Sequence, residues 1–97
     1  MSRSLVERKL TQVSGRLKEL RAELEVVDEQ LASLAEAADD ARLRALVSET
    51  PLADHEHHEA QKHADAMARW RDEVVASISE LVRTQDELLD RLVAEAG

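Results

Sequence analysis

Apolar residues recur along this chain at alternating steps of four and three. Val6, Leu10, Val13, Leu17, Leu20, Leu24, Val27, Leu31, Leu34, Ala38 and Ala41 follow that rhythm without a break. The spacing brings all of them to one side of a single long helix. Ser4-Leu5-Val6-Glu7 reads as a capping box at its start. Gly15 interrupts the helix formers but falls on the outer side of the seam, where it costs about 1 kcal/mol against alanine without breaking the helix. A second seam runs through Met67, Trp70, Val74, Ile78, Leu81, Gln85, Leu88 and Leu92, with Gln85 its one polar member.

Pro51 separates the two seams. Proline is tolerated in the first turn of a helix and disfavoured deeper in it. With Thr50 as N-cap, "ETPLAD" predicts one helix ending and another beginning. The pattern divides into helix 1 over about 4–48, a turn at about 49–51 and helix 2 over about 52–96, in one helical-hairpin domain over 1–97.

The seams match when the chain folds back on itself. Leu34 then faces Met67, Leu31 faces Trp70, Val27 faces Val74, Leu24 faces Ile78 and Leu20 faces Leu81. Farther from the turn Val13 faces Leu88 and Leu10 faces Leu92, and Leu17 meets Gln85. Toward the turn both seams shrink to alanine, Ala38 with Ala64 and Ala41 with Ala60, which allows a close approach where the connection is short. Leu43, Leu46, Val47 and Leu52 are expected to cover the end of the hairpin. Trp70 is expected in the core, stacked on Leu31.

Charge favours the same topology. Residues 1–21 carry six basic and two acidic side chains, and residues 72–97 carry two basic and seven acidic. An antiparallel hairpin sets the basic start beside the acidic end. A parallel pairing of two first helices would instead set Arg16 against Arg21 and Glu23 against Asp28. The expected fold is all-α: a long antiparallel two-helix hairpin, a coiled coil, pairing into a four-helix bundle.

Composition narrows this further. Trp70 is the only aromatic residue, two glycines and one proline are present, and asparagine is absent. A sheet protein needs turn residues at short intervals, and a globular core draws much of its buried area from aromatics. Seams of Leu, Val and Ala avoid both needs. The net charge of −8 argues against nucleic acid or an anionic membrane as a direct partner. The chain has no cysteine, which excludes disulfides, thiolate metal sites and a thiol nucleophile. No apolar run suggests a signal h-region or a membrane span, so a cytoplasmic location is expected.

A hairpin uses one seam per helix, and helix 2 has apolar residues to spare. Val75, Val82, Leu89 and Ala96 recur every seven residues beside the first seam, with Val93 added. Helix 1 offers almost no counterpart. An exposed aliphatic line of this kind predicts an interface. It is simplest as a homo-oligomer, a dimer of hairpins forming a four-helix bundle, or else as the docking face for a helix of another protein.

The turn region gathers all four histidines, His55, His57, His58 and His63, among carboxylates. On a helix His55, Glu59 and His63 share one face, and His55 and His58 lie one turn apart, so these four are the candidate metal ligands. The spacing falls short of a defined site. "HEHHE" ends in Glu where HExxH needs His, and Glu-x-x-His pairs are absent. A weak metal binder is the most these residues predict, and no cofactor is expected. Nor is an enzyme: a two-helix rod lacks the concave site that substrates require, and the serines, Ser48 excepted, do not gather with the histidines.

An antiparallel hairpin with Glu49, Asp54 and Glu56 at its tip resembles the N-terminal coiled coil of transcript-cleavage factors of the Gre type. The resemblance is one of architecture and does not extend to that family's second domain. It implies a regulator of a large nucleic-acid enzyme, such as RNA polymerase, acting through an acidic tip. In length and two-helix build the chain is also similar to the WXG100 secreted proteins. That family's Trp-x-Gly turn and C-terminal Tyr are missing, since the turn here is "SETPLAD", Trp70 falls some twenty residues too late and the chain has no tyrosine, so membership in that family is rejected. The reading that follows from the residues themselves is a non-enzymatic coiled-coil interaction protein, self-associating through the apolar stripe of helix 2.

Overall fold

The computed structural model describes residues 2–96. Two α-helices, α1 (Arg3–Ser48) and α2 (Pro51–Ala96), account for all of them except Ser2, Glu49 and Thr50. They form an antiparallel two-helix hairpin, and no strand occurs among the described residues.

The start of α1 differs from the expected capping box. The Leu5 amide donates to the Ser2 hydroxyl at 3.3 Å, and the Val6 amide to the Ser2 carbonyl at 3.0 Å. Ser2, not Ser4, is therefore the N-cap. Either serine can accept from the first free amides, and capping at the earlier one adds two residues, about half a turn, to the helix. Glu7 consequently turns to Arg3, whose Nε donates to its Oε1 at 3.0 Å.

The connection is two residues long. Ser48 ends α1, and the Glu49 amide still donates to the Ala45 carbonyl at 3.0 Å. Glu49 then adopts φ 51°, the left-handed conformation that stops a helix and is ordinarily given to glycine. Thr50 caps α2, as its sequence position predicts: its hydroxyl accepts from the Ala53 amide at 3.2 Å, and its carbonyl from the Asp54 amide at 3.1 Å. Pro51 occupies the first helical position, where its missing N–H leaves no bond unmade. Asp54 lies in the first turn of α2, where a carboxylate complements the helix dipole.

Packing divides the chain into two compact units, one of Met1–Leu24 with Val74–Gly97 and one of Glu25–Glu73. In the first, Val6, Leu17 and Leu20 of α1 and Val74 and Leu88 of α2 are buried. Leu10, Val13, Leu24, Ile78, Leu81 and Leu92 are half-buried beside them. The polar member of the seam, Gln85, is half-buried as well, and its Nε2 donates to the Ser14 hydroxyl at 3.2 Å. That bond satisfies an amide the sequence placed among aliphatics.

In the unit that holds the turn, Val27, Ala38, Ala41, Ala45, Ala53 and Ala64 are buried, with Leu31, Leu34 and Met67 half-buried. The run of small residues thus extends to Ala45 and Ala53. Both continue the four-three rhythm toward Pro51, so the signal was present in the sequence. Trp70 departs from expectation: it remains 44% exposed. Its neighbour Arg71 is half-buried, and the Arg71 Nε donates to Oδ1 of Asp28 on α1. An indole is much bulkier than the Leu, Ala and Met that fill the rest of this seam. It lies at the edge, beside an Arg71 side chain that is itself 39% exposed.

Candidate interaction surfaces

The first surface is the spare face of α2. At about 100° per residue, Val75, Val82, Leu89 and Val93 cluster about 90° round the helix from the seam that meets α1. The hairpin leaves this line open: Val75 is 39% exposed, Leu89 44% and Val93 73%. Val82 is half-buried and Ala96 exposed. Asp72, Asp86 and Asp90, all exposed, border it on the side away from α1. On α1 the same unit exposes only Leu5 among its large apolar side chains. A stripe without an apolar counterpart in its own hairpin is free to bury itself against another helix.

The tip is the second surface. The short turn places Glu49, Asp54 and Glu56 in solvent. It does not fold the neighbouring aliphatics over the end of the hairpin, as the sequence suggested. Leu43, Leu46, Val47 and Leu52 all stay exposed, Val47 most of all at 85%. The reason lies in the connection. Both helices run straight into a turn of two residues, so no chain is left to fold back. Side chains off the alanine seam then point outward. The tip is therefore apolar as well as acidic.

The third surface is the histidine face. His55, His58 and His63 are exposed and Glu59 is half-buried. No three His, Asp or Glu side chains among the described residues come together in a metal-ligating group. The reason is geometric: one helix brings at most two or three of these groups to a side, and no histidine on α1 faces them. His57 and His58 instead line an open depression of about 280 Å³ with Gln61, Lys62 and Asp65, all from α2. Gln61 Nε2 donates to Asp65 Oδ1 at 2.9 Å within it. A second open depression, of about 350 Å³, lies between the helices and is lined by Lys9, Gln12, Val13, Thr84, Glu87, Leu88 and Arg91. Both are shallow and at the low end of the volumes that hold small ligands.

Ionic contacts add little selectivity. Arg3 with Glu7 and Arg16 with Glu19 are exposed pairs within one helix, and Arg71 with Asp28 joins the two helices at the surface. Exposed pairs of this kind contribute about 0–1 kcal/mol each. No helix among the described residues is long and apolar enough to cross a membrane. No protein-family model, curated protein or solved structure matches this chain.

Proposed function

We propose that the chain is a non-enzymatic coiled-coil protein that works by associating with itself through the apolar face of α2. The observation that carries the reading is the aligned exposure of Val75, Leu89 and Val93 on a helix whose other apolar face is already packed. A helix in a four-helix bundle makes two contact faces about 90° apart; α2 has an apolar residue line on both, and α1 would meet the second copy through polar side chains. The reading keeps the cytoplasmic location expected from the sequence. Fully burying an aliphatic side chain is worth about 1.5–3 kcal/mol, and a symmetric dimer counts each position twice. Sedimentation tests it directly. The wild-type chain should sediment above the monomer mass at micromolar concentration. The double change Val82→Glu, Leu89→Glu should reduce it to a monomer that keeps its helical circular dichroism. A wild-type chain that is monomeric at high concentration removes the proposal.

The exposed tip favours a second reading, a regulator of a large nucleic-acid enzyme such as RNA polymerase. Glu49 is held in a left-handed conformation, with exposed Asp54 and Glu56 and four exposed aliphatics around it. Binding to purified RNA polymerase that is abolished by Glu49→Gln, Asp54→Asn, Glu56→Gln supports it; no binding by the wild-type chain rejects it.

A further inference from the structure

The self-association proposed above leaves open how the second copy lies, and the structure carries that step. We infer that two copies meet about a two-fold axis perpendicular to the helices, with α2 antiparallel to α2 and the axis passing beside Gln85 and Asp86. The inference rests on the self-association reading and specifies its geometry.

Three observations converge on that axis. The first is the stripe itself. Val75, Val82, Leu89 and Ala96 recur at seven-residue intervals, so their midpoint falls between Gln85 and Asp86. Turned end for end about that point, Val82 lies against Leu89 of the second copy and Val75 against Ala96. Every member of the line gains an apolar neighbour. The second observation concerns α1. The Gln85–Ser14 and Arg71–Asp28 contacts and the two-residue turn set α1 two to three residues away from the expected register, in which Leu17 met Gln85, and bring Ser14 to the level of the axis. In a closed bundle the two α1 helices then run antiparallel past each other with Ser14 at their centre. Glu7 and Arg21 lie seven residues to either side of Ser14. Both are exposed, and both lie on the edge of α1 that borders the spare face of α2. Glu7 of each copy therefore comes level with Arg21 of the other. The midpoint of the apolar line and the midpoint of the charge pair are set on different helices. They coincide only because the hairpin register brings Ser14 beside Gln85.

The third observation is the acidic border of the stripe. In the antiparallel arrangement Arg83 of one copy comes level with Leu88 of the other, two residues or about 3 Å along the helix from Asp90, so its long side chain reaches that carboxylate in an opposite pair formed twice. A parallel arrangement would set Asp72, Asp86 and Asp90 each against its own copy and would align the helix dipoles. One like-charged meeting survives in the antiparallel form: Asp86 with Asp86 of the second copy, next to the axis.

Cysteine scanning separates the arrangements, and the absence of native cysteine makes it clean. V75C and A96C are made as separate single variants at exposed positions and mixed in equal amounts under mild oxidation. The expected result is covalent heterodimer from the mixture and no covalent dimer from V75C alone. Covalent dimer from V75C alone shows parallel stripes; it overturns the antiparallel axis and leaves self-association standing. A sedimenting dimer with no crosslink in either case places the contact on another face and overturns this inference together with the stripe. A wild-type chain that remains monomeric overturns both. Charge reversal gives an independent readout in dimer affinity. Glu7→Arg alone should weaken the dimer several-fold, and adding Arg21→Glu should restore it. Asp86→Asn should tighten the dimer, whereas tightening is not expected if the stripe receives a basic helix of another protein. Failure of the double reversal to recover affinity rejects the predicted level of α1 against α1.

Discussion

Replacing Glu49 with glycine should stabilise this protein. Glu49 ends α1 at φ 51°, where the Cβ of an L-residue crowds the following carbonyl. Holding a non-glycine residue there costs about 1–2 kcal/mol. Glycine removes the crowding but gives up more freedom on folding, a penalty of about 0.5–1 kcal/mol. The difference is a gain of about 0.7 kcal/mol. For a domain of fewer than a hundred residues this raises Tm by about 3–6 °C. The charge of Glu49 acts much less. It lies just beyond the C-terminus of α1, where a carboxylate is unfavourable, and just before the N-terminus of α2, where it is favourable, so the two dipole effects largely offset. Glu49→Ala separates the causes, because it deletes the carboxylate and keeps the Cβ. Thermal unfolding of wild type, Glu49→Ala and Glu49→Gly should be followed by circular dichroism at one protein concentration, since the proposed self-association would make Tm concentration-dependent. Glycine should melt highest, with alanine close to wild type. If alanine gains as much as glycine, the strain argument fails and the charge is the cause. If glycine gains nothing, the left-handed conformation is not what the turn requires.

The opposite substitution is expected to stabilise at Gly15: nothing lies within 4 Å of an added Cβ, so Gly15→Ala should raise stability by about 0.8–1.0 kcal/mol in the same melt. Leu17→Ala, at a side chain 1% exposed, should cost about 2–5 kcal/mol, whereas Trp70→Ala should cost well under the 3–5 kcal/mol of a buried aromatic because its indole lies at the edge; urea midpoints measure both, and equal losses would place Trp70 in the core. Trp70 fluorescence should be quenched by acrylamide in the folded state, and a fully shielded signal would contradict its exposure. Zinc added at a hundred micromolar should leave Tm within about a degree, because a site with three or four converging ligands would raise it by mass action and the histidine face offers no such set.

Much of this architecture was legible in the chain. An uninterrupted four-three rhythm can be satisfied only by helix, and Thr50-Pro51 can continue only by starting a new one. Two seams of matching length about that point then bury each other at the smallest cost in loop entropy. These features depend on local backbone chemistry and on the period of the apolar residues, which a sequence displays directly. The tertiary structure decided among local options of nearly equal energy. Ser2 and Ser4 could both cap α1. Trp70 could have been covered by α1, but it stays 44% exposed at the edge of the seam. Gln85 could have been left without a partner among leucines, and the level of α1 against α2 supplied Ser14. The aliphatics near the turn could have closed the tip, but a helix that runs to Ser48, another that starts at Pro51 and two connecting residues left no chain to do it. In each of these cases the outcome depends on the space and partners that the other helix presents, and those exist only once the hairpin has formed.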